Sequence, residues 1–218
     1  MSDTPDDTRE RRGRSLDRAV SFSDAVMSIA LTLLVLPLVD IATDNPDEPI
    51  VHQLDRFTPQ ILGFVVSFLV ISQFWGAHRR LWSYLADFDE TLLTINTFWL
   101  LLIVFLPYPT ALLFSEADTN SGAALFYLLV LLGIGTLMLL QAWYVATHPR
   151  LRHVDDHRSL RDQVLPTVGT TAVFVLAILL TLVDRTFGLL SLLLLIVVQR
   201  FSAQKDQPHR RPRRETHP

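Results

Sequence analysis

The stretch RAVSFSDAVMSIALTLLVLPLV, residues 18–39, decides the fold class of this chain. It opens on an arginine and then stays mostly apolar for about twenty residues, the length that an α-helix needs to cross the hydrocarbon core of a bilayer. Its one carboxylate, Asp24, lies near its start. Because no small-residue cleavage site follows the run, we interpret it as a retained transmembrane helix and not as a signal peptide.

The rest of the chain has the same apolar character. Of its 218 residues 50% are hydrophobic and only 19% are charged, and the mean hydropathy is +0.32. The alternating pattern of a membrane β-barrel is absent from the apolar runs, so helices must satisfy the backbone in lipid. We therefore predict an all-α, polytopic membrane protein with six transmembrane helices, near residues 20–39, 58–78, 92–114, 122–147, 164–183 and 186–201.

The basic residues predict the orientation of these helices. All but two of the 19 arginine and lysine residues lie in the tails and in the loops that share one side of the membrane. The two exceptions are Arg56 and Arg185, and the first loop on their side is acidic. The positive-inside rule therefore predicts that both termini are cytoplasmic, in a multi-pass protein of the cell membrane.

The two ends of the chain differ in composition from its middle. Residues 1–17 are charged, polar and proline-containing, and we expect a disordered cytoplasmic tail there. Residues 203–218 are predicted to be a basic cytoplasmic tail, which leaves 18–202 as one six-helix domain.

Several functional classes find no support in the sequence. The chain has no cysteine, and it has no HExxH, Walker or serine-elbow motif, so we expect no enzyme, metal site or cofactor. Asp24 and His78 are the one pair that an intramembrane hydrolase could use. Gly133 and Gly135 are predicted to serve close helix packing. No nucleic-acid partner is expected.

Asp24 is the most informative polar residue. A carboxylate inside the bilayer costs on the order of 3 kcal/mol, so it should face protein or water and have a partner. The first helix rises from the cytoplasm, the second returns and the third rises again, which brings Asp24 level with the end of the second helix and the start of the third. We predict a structural hydrogen-bonded layer at this level, formed by Arg18, Phe22, Ser23, Asp24, Trp75, His78 and Asn96.

A second face of the first helix holds Ile29, Thr32, Leu33 and Leu36. Their spacing of i, i+3, i+4 and i+7 puts these side chains on one stripe. From spacing alone, packing against a neighbouring helix and a place on an ion pathway both remain open.

Residues 18–110 closely resemble the transmembrane protein 175 family of potassium channels, and the rest of the chain resembles it only in helix count. The matching residues are Arg18, Phe22-Ser23-Asp24, Ile29, Thr32, Leu33 to Leu36, Trp75, His78, Asn96 and Phe105-Leu106-Pro107.

This resemblance implies a modestly potassium-selective cation channel without a carbonyl filter. The first helix would line a central pore, and a chain with one repeat would form a homotetramer in the bilayer. Ile29, Leu33 and Leu36 would form the apolar constriction, Thr32 would contribute to selectivity, and potassium would be the permeant ion. A secondary transporter of a cation or small solute is the alternative, and its expected signs are broken helices, inverted repeats and several deep acidic residues.

Overall fold

The structure, a computed structural model, describes residues 5–39, 49–113, 121–153 and 160–181. Over these ranges the regular structure is helical, apart from one isolated β-bridge between Leu85 and Arg152. This confirms the predicted all-α class. The elements are α1 (Pro5–Leu33), α2 (Ile50–Trp82), α3 (Glu90–Phe105), α4 (Pro107–Leu113), α5 (Ser121–Thr147), a 3₁₀ turn (Pro149–Leu151) and α6 (Leu160–Thr181).

The apolar stretches confirm a polytopic membrane protein. The fifth predicted helix corresponds to α6, in which Thr167–Leu180 is the apolar part. The predicted sixth helix at 186–201 and the tail at 203–218 lie outside the described residues. Among the described residues, four stretches are long and apolar enough to cross a membrane: Glu10–Val39, Phe57–Trp82, Glu90–Leu113 and Gly122–Thr147.

The start of α1 differs from the sequence prediction. We expected a disordered tail over residues 1–17, whereas α1 begins at Pro5. Proline suits the first position of a helix, where its missing N–H has no partner to lose. Further along, Arg12 lies 3.4 Å from the Asp87 carboxylate, and Leu16 is buried. Contacts with distant residues thus support a helix that local composition does not suggest.

The third transmembrane stretch has a break near its far end. Asp89 caps the start of α3, where its carboxylate accepts a 3.0 Å hydrogen bond from the Leu92 amide. α3 stops before Pro107, which has no amide hydrogen for the helical ladder. Leu106 keeps helical dihedral angles, with φ −58° and ψ −33°. The chain therefore continues as α4 within the single apolar stretch Glu90–Leu113.

α5 packs against α3, α4 and α6, while α1 packs against α2 and α3. Two glycines on α5 allow its close contacts. A Cβ on Gly133 would lie 2.9 Å from the Leu102 side chain, and one on Gly135 would lie 3.2 Å from Thr171 and Phe174. This confirms the predicted role of both glycines in helix packing.

Two loops meet at the end of the bundle where α2 ends and α3 begins. The amides of Ala86 and Asp87 donate to the Leu151 carbonyl at 2.8 and 3.3 Å, and the His153 amide donates to the Tyr84 carbonyl at 3.1 Å. We call this end, which carries many of the arginines, the basic end.

Candidate functional site

α1 has two contrasting faces. On the face towards the protein body, Ser23, Met27, Ala30 and Leu34 are at most 2% exposed. The opposite face is uncovered in the single chain, and there the exposed fractions of Ile29 and Leu36 are 57% and 52%. Exposed residues recur here at steps of three and four positions, along α1 and its short helical continuation up to Val39, so one line of them follows the helix. We call them the open stripe: Phe22, Ala25, Ile29, Thr32, Leu36 and Val39.

The four residues that we predicted for an ion pathway do not share one environment. Ile29, Thr32 and Leu36 lie on the open stripe, whereas Leu33 is half-buried at its edge. The Thr32 hydroxyl donates a 2.8 Å hydrogen bond to the Ile29 carbonyl. Because its hydrogen is used within the helix, the hydroxyl oxygen of this exposed residue remains available as an acceptor or a cation ligand.

Asp24 is paired across the contact between α1 and α2. The Trp75 indole N–H donates a 2.7 Å hydrogen bond to the Asp24 carboxylate. The Arg79 guanidinium lies over the Trp75 ring, 4.9 Å from its centre, which is a cation–π distance. A carboxylate and a guanidinium thus share one tryptophan near the basic end.

A second chain of hydrogen bonds joins α1, α2 and α3. The Asn96 amide N–H donates to the Ser23 hydroxyl at 3.0 Å, and the Ser23 hydroxyl donates to the Ala19 carbonyl at 3.0 Å. The Asn96 carbonyl oxygen lies 2.8 Å from Nε2 of His78. Since that oxygen can only accept, His78 carries its proton on Nε2. All of Ser23, His78 and Asn96 are buried.

Aromatic rings enclose His78. Its ring stacks on Trp99 with the ring centres 4.6 Å apart and on Trp82 with the centres 5.1 Å apart. The Trp82 indole N–H in turn donates to the Gln141 carbonyl oxygen at 3.1 Å, which extends the contacts to α5. These contacts shield the His78 ring from solvent.

The predicted layer therefore brings together five of its members, and two lie elsewhere. The hydrogen bonds include Ser23, Asp24, Trp75, His78 and Asn96. Phe22 is instead 64% exposed on the open stripe. Arg18 is also exposed, and within the described ranges it has no hydrogen bond or ion pair.

A buried chain of hydroxyl groups was not foreseen from the sequence. Thr110 donates to the Leu106 carbonyl at 2.9 Å, so the Ser67 hydroxyl must donate to Thr110 across 3.0 Å. Tyr127 then donates to Ser67 across 3.1 Å. These contacts join α2, α4 and α5 beside the break at Leu106. In the sequence these residues are visible only as single hydroxyl side chains within apolar segments. The sequence does not show which of these side chains contact one another.

A second unforeseen cluster lies at the basic end, around Asp89. Its carboxylate accepts hydrogen bonds from the Tyr144 hydroxyl at 2.8 Å and from the Arg150 guanidinium at 3.0 Å. Burial by itself would raise the pKa of Asp89, but the Leu92 amide, Tyr144 and Arg150 outweigh it and lower the pKa below its usual value. Asp89 is therefore present as a carboxylate, and its hydrogen bonds connect the start of α3 with the end of α5.

The described residues contain no group of three or more histidine, aspartate or glutamate side chains able to hold a metal ion. What the fold does define is a class: an all-helical, polytopic membrane protein with a polar layer inside one end. Comparison with known proteins gives the family.

The family model described as endosomal/lysosomal potassium channel TMEM175 matches residues 18–107. A potassium channel of Streptomyces collinus is 34% identical over 146 residues, which are 65% of this chain and 68% of that protein. The human endosomal/lysosomal proton channel TMEM175 is 31% identical over 147 residues, and this match covers only 28% of the human protein. The chain belongs to the TMEM175 family.

A solved structure has the same fold. The crystal structure of a lysosomal potassium-selective channel TMEM175 homolog from Chamaesiphon minutus matches with a TM-score of 0.71 at 23% identity. The match covers 89% of this chain and 100% of that one. Members of this family are ion channels, which are not enzymes.

Proposed function

We propose that this chain forms a homotetrameric cation channel of the cell membrane, which conducts potassium passively and in modest preference to sodium. The α1 helices of four chains line its central pore. The observation that carries this proposal is the open stripe of α1, which lies opposite a buried face and is exposed in the part of the chain that the structure describes.

The spacing of the open stripe supports a position at an axis between copies. Steps of three and four residues average about 3.5, the period at which helices pack side by side along one seam. The stripe also carries Thr32, and the exposed Ser28 lies next to it. Hydroxyl groups gain little from facing lipid tails, whereas they can contact water or ions in a pore.

The apolar members of the stripe would form the constriction. Rings of Ile29 and Leu36 offer a hydrated ion no replacement for the water that it loses, so the pore can close by dewetting. Leu33, at the edge of the stripe, would complete the constriction where neighbouring copies meet. The Thr32 oxygens form a hydroxyl ring between these levels, a weaker set of ligands than a carbonyl cage, and for this reason we expect modest selectivity.

The layer beside the stripe would fix the rotation of α1. Ser23 and Asp24 are held by Asn96 and Trp75 on two different helices. A rotation of α1 about its axis would break both contacts and turn the open stripe away from the pore. We therefore assign the layer a structural role in the assembled channel.

The topology of the proposal follows the charges. The basic end is cytoplasmic by the positive-inside rule, and both termini lie on that side of a chain with six transmembrane helices. The chain then contributes one six-helix repeat.

A secondary transporter is the second candidate, and the break between α3 and α4 is the observation in its favour. Transporters place ion-binding groups at such breaks. Here the neighbouring polar groups are Ser67, Thr110 and Tyr127, which donate to one another and to the Leu106 carbonyl. These hydroxyls have no carboxylate among them with which to couple a driving ion.

Planar-bilayer recording of the purified, reconstituted protein tests the proposal. We expect unitary currents that need no counter-ion and reverse between the sodium and potassium equilibrium potentials, nearer to that of potassium. Flux that appears only with a coupled ion would favour the transporter. Mass measurement of the detergent-solubilised protein should give four chains, and a stable monomer would contradict the tetramer.

A further inference from the structure

Three buried polar atoms beside the hydrogen-bonded layer have no hydrogen-bond partner among the described residues. They are Nδ1 of His78, Nε1 of Trp99 and Nε2 of Gln141. Each of the three side chains is fully buried, with an exposed fraction of 0%. A polar atom that is removed from water without a new partner costs free energy, and native proteins rarely leave one in this state. Three such atoms in one region therefore indicate a bound ligand.

The three atoms belong to one cluster of packed side chains. The rings of His78 and Trp99 are parallel to within 6°, and their centres are 4.6 Å apart. The Trp82 ring also stacks on His78, with the centres 5.1 Å apart, and its N–H holds the Gln141 side chain through a 3.1 Å hydrogen bond. A molecule that bonds to two atoms can join positions up to about 6 Å apart, because each hydrogen bond is about 3 Å long. The separations of the ring centres lie within that range.

The bonding capacity of each atom follows from the contacts already made. Nε2 of His78 carries the ring proton, as its bond to the Asn96 carbonyl oxygen requires, so Nδ1 can only accept. The Trp99 indole N–H can only donate. Gln141 turns its carbonyl oxygen to Trp82, which leaves its amide N–H groups as donors. The cluster thus offers donors from two side chains and one acceptor.

A ligand for this set must accept from two donors and donate to one acceptor. A metal or potassium cation fits badly because N–H groups present their positive ends to it. A halide anion fits badly because it has no hydrogen to donate to Nδ1. Water has two lone pairs and two hydrogens, and a buried water typically makes about three hydrogen bonds to polar groups that lack a protein partner. It is also the smallest molecule with this pattern, as a closely stacked cluster requires.

We infer that one structural water molecule is bound among Nδ1 of His78, Nε1 of Trp99 and Nε2 of Gln141. It accepts hydrogen bonds from Trp99 and Gln141 and donates one to His78. The water joins α2, α3 and α5, and the bonds from His78 to Asn96 and from Asn96 to Ser23 extend this connection to α1. The layer is then one hydrogen-bonded unit across four helices. The inference concerns the fold of a single chain and does not rest on the proposed tetramer or on conduction.

Solid-state NMR of the full-length, isotope-labelled protein in lipid vesicles tests this site without requiring a channel. The probe is the assigned Nδ1 resonance of His78. We expect an unprotonated nitrogen with the upfield shift of a hydrogen-bond acceptor, and a correlation between this nitrogen and water protons. A protonated Nδ1, an Nδ1 without a hydrogen bond, or one whose donor proton belongs to the protein overturns the inference.

Variants of the two donors test which groups hold the water. Trp99→Phe and Gln141→Met each remove one donor and should weaken the correlation, and the double variant should abolish it. Trp82→Phe is the control, because it breaks the same hydrogen bond to Gln141 that Gln141→Met breaks but keeps all three atoms. The correlation should persist in this control. A correlation that survives in the folded double variant, or that disappears in the folded control, overturns the site.

The outcome for this site is separate from the outcome for the proposed function. A parent protein that shows the water correlation but carries no potassium current contradicts the channel and supports the water site. A conducting parent protein without the correlation contradicts the water site and leaves the channel intact.

Discussion

Trp75 and Asp24 lie 51 positions apart in the sequence, and a 2.7 Å hydrogen bond joins the indole N–H of one to the carboxylate of the other. This contact holds α1 against α2 at the level where the open stripe begins. Arg79, stacked over the Trp75 ring, adds a positive charge on the side of the basic end. The pair thus gives the one acidic residue in the apolar part of α1 a defined partner.

Trp75→Phe should weaken the assembled protein more than it alters selectivity. The substitution keeps an aromatic ring but removes the donor, and a hydrogen bond to a charged group contributes about 1.5–3 kcal/mol. We expect a lower unfolding temperature and a smaller tetramer fraction, measured in detergent, with an unchanged reversal potential. Trp143→Phe, at a position 57% exposed, is the matched control. A shifted reversal potential at normal stability would mean that Trp75 acts on the ion path directly.

Asp89 predicts a pH dependence at the basic end. Its pKa is lowered in the folded protein, so it binds a proton less readily there than in the unfolded chain. Its stabilising contribution is complete above the usual carboxyl pKa and is lost as pH falls through the lowered folded value. The unfolding temperature should therefore drop below about pH 4, and Asp89→Asn should reduce that drop.

Glu90→Gln tests whether this pH dependence belongs to Asp89, since Glu90 is the adjacent, exposed carboxylate. It should leave the acid transition in place. Equal acid sensitivity of the parent and Asp89→Asn would show that the contacts with Tyr144 and Arg150 contribute little to stability.

The sequence predicted most of the fold because membrane helices are defined locally. Apolar length alone located the four long spans of the described residues, and Asp24, the carboxylate inside the apolar part of the first of them, directed attention to its partners. Helix direction then placed Trp75, His78 and Asn96 level with Asp24, and hydrogen bonds join Asp24 to Trp75 and His78 to Asn96.

What the sequence could not predict depends on contacts between distant segments. Ser67, Thr110 and Tyr127 are ordinary hydroxyl residues until packing brings the Ser67 hydroxyl within 3.1 Å of the hydroxyls of the other two. The helical start of α1 likewise depends on Leu16 and on the contact between Arg12 and Asp87. A charged, proline-containing segment resembles a disordered tail when such contacts are not known.

Polar substitutions in the proposed constriction should increase conduction. Ile29→Asn offers water a hydrogen-bonding partner inside an apolar ring, so we expect a larger potassium flux from loaded vesicles. Leu33→Asn should act in the same direction but less strongly, because Leu33 is half-buried whereas Ile29 is 57% exposed. Leu179→Asn, on α6 at a position 56% exposed, is the control for added polarity. If the Ile29 and Leu33 variants fold normally and conduct like the parent, these residues do not form the constriction and the stripe serves only helix packing.

Thr32 should affect selectivity separately from conductance. Thr32→Val keeps the size and β-branching of the side chain but removes the hydroxyl ring, so potassium and sodium should become less distinguishable. The measurement is the reversal potential under bi-ionic conditions. Thr136→Val is the matched control, because Thr136 is an exposed threonine of α5 whose hydroxyl donates to the Leu132 carbonyl at 2.7 Å. An unchanged reversal potential for Thr32→Val would exclude this hydroxyl as the basis of selectivity.

The central claim is that the open stripe of α1 faces the ion path, and silver-ion block of single-cysteine channels tests it most directly. The parent chain has no cysteine, so Ile29→Cys, Thr32→Cys and Leu179→Cys each introduce one thiol, and silver ions similar in size to potassium bind thiolates tightly. We predict rapid loss of potassium current for the Ile29→Cys and Thr32→Cys channels, with no loss for Leu179→Cys or the parent. Block of Leu179→Cys alone, with conducting and unaffected Ile29→Cys and Thr32→Cys channels, would place the ion path elsewhere and contradict the account.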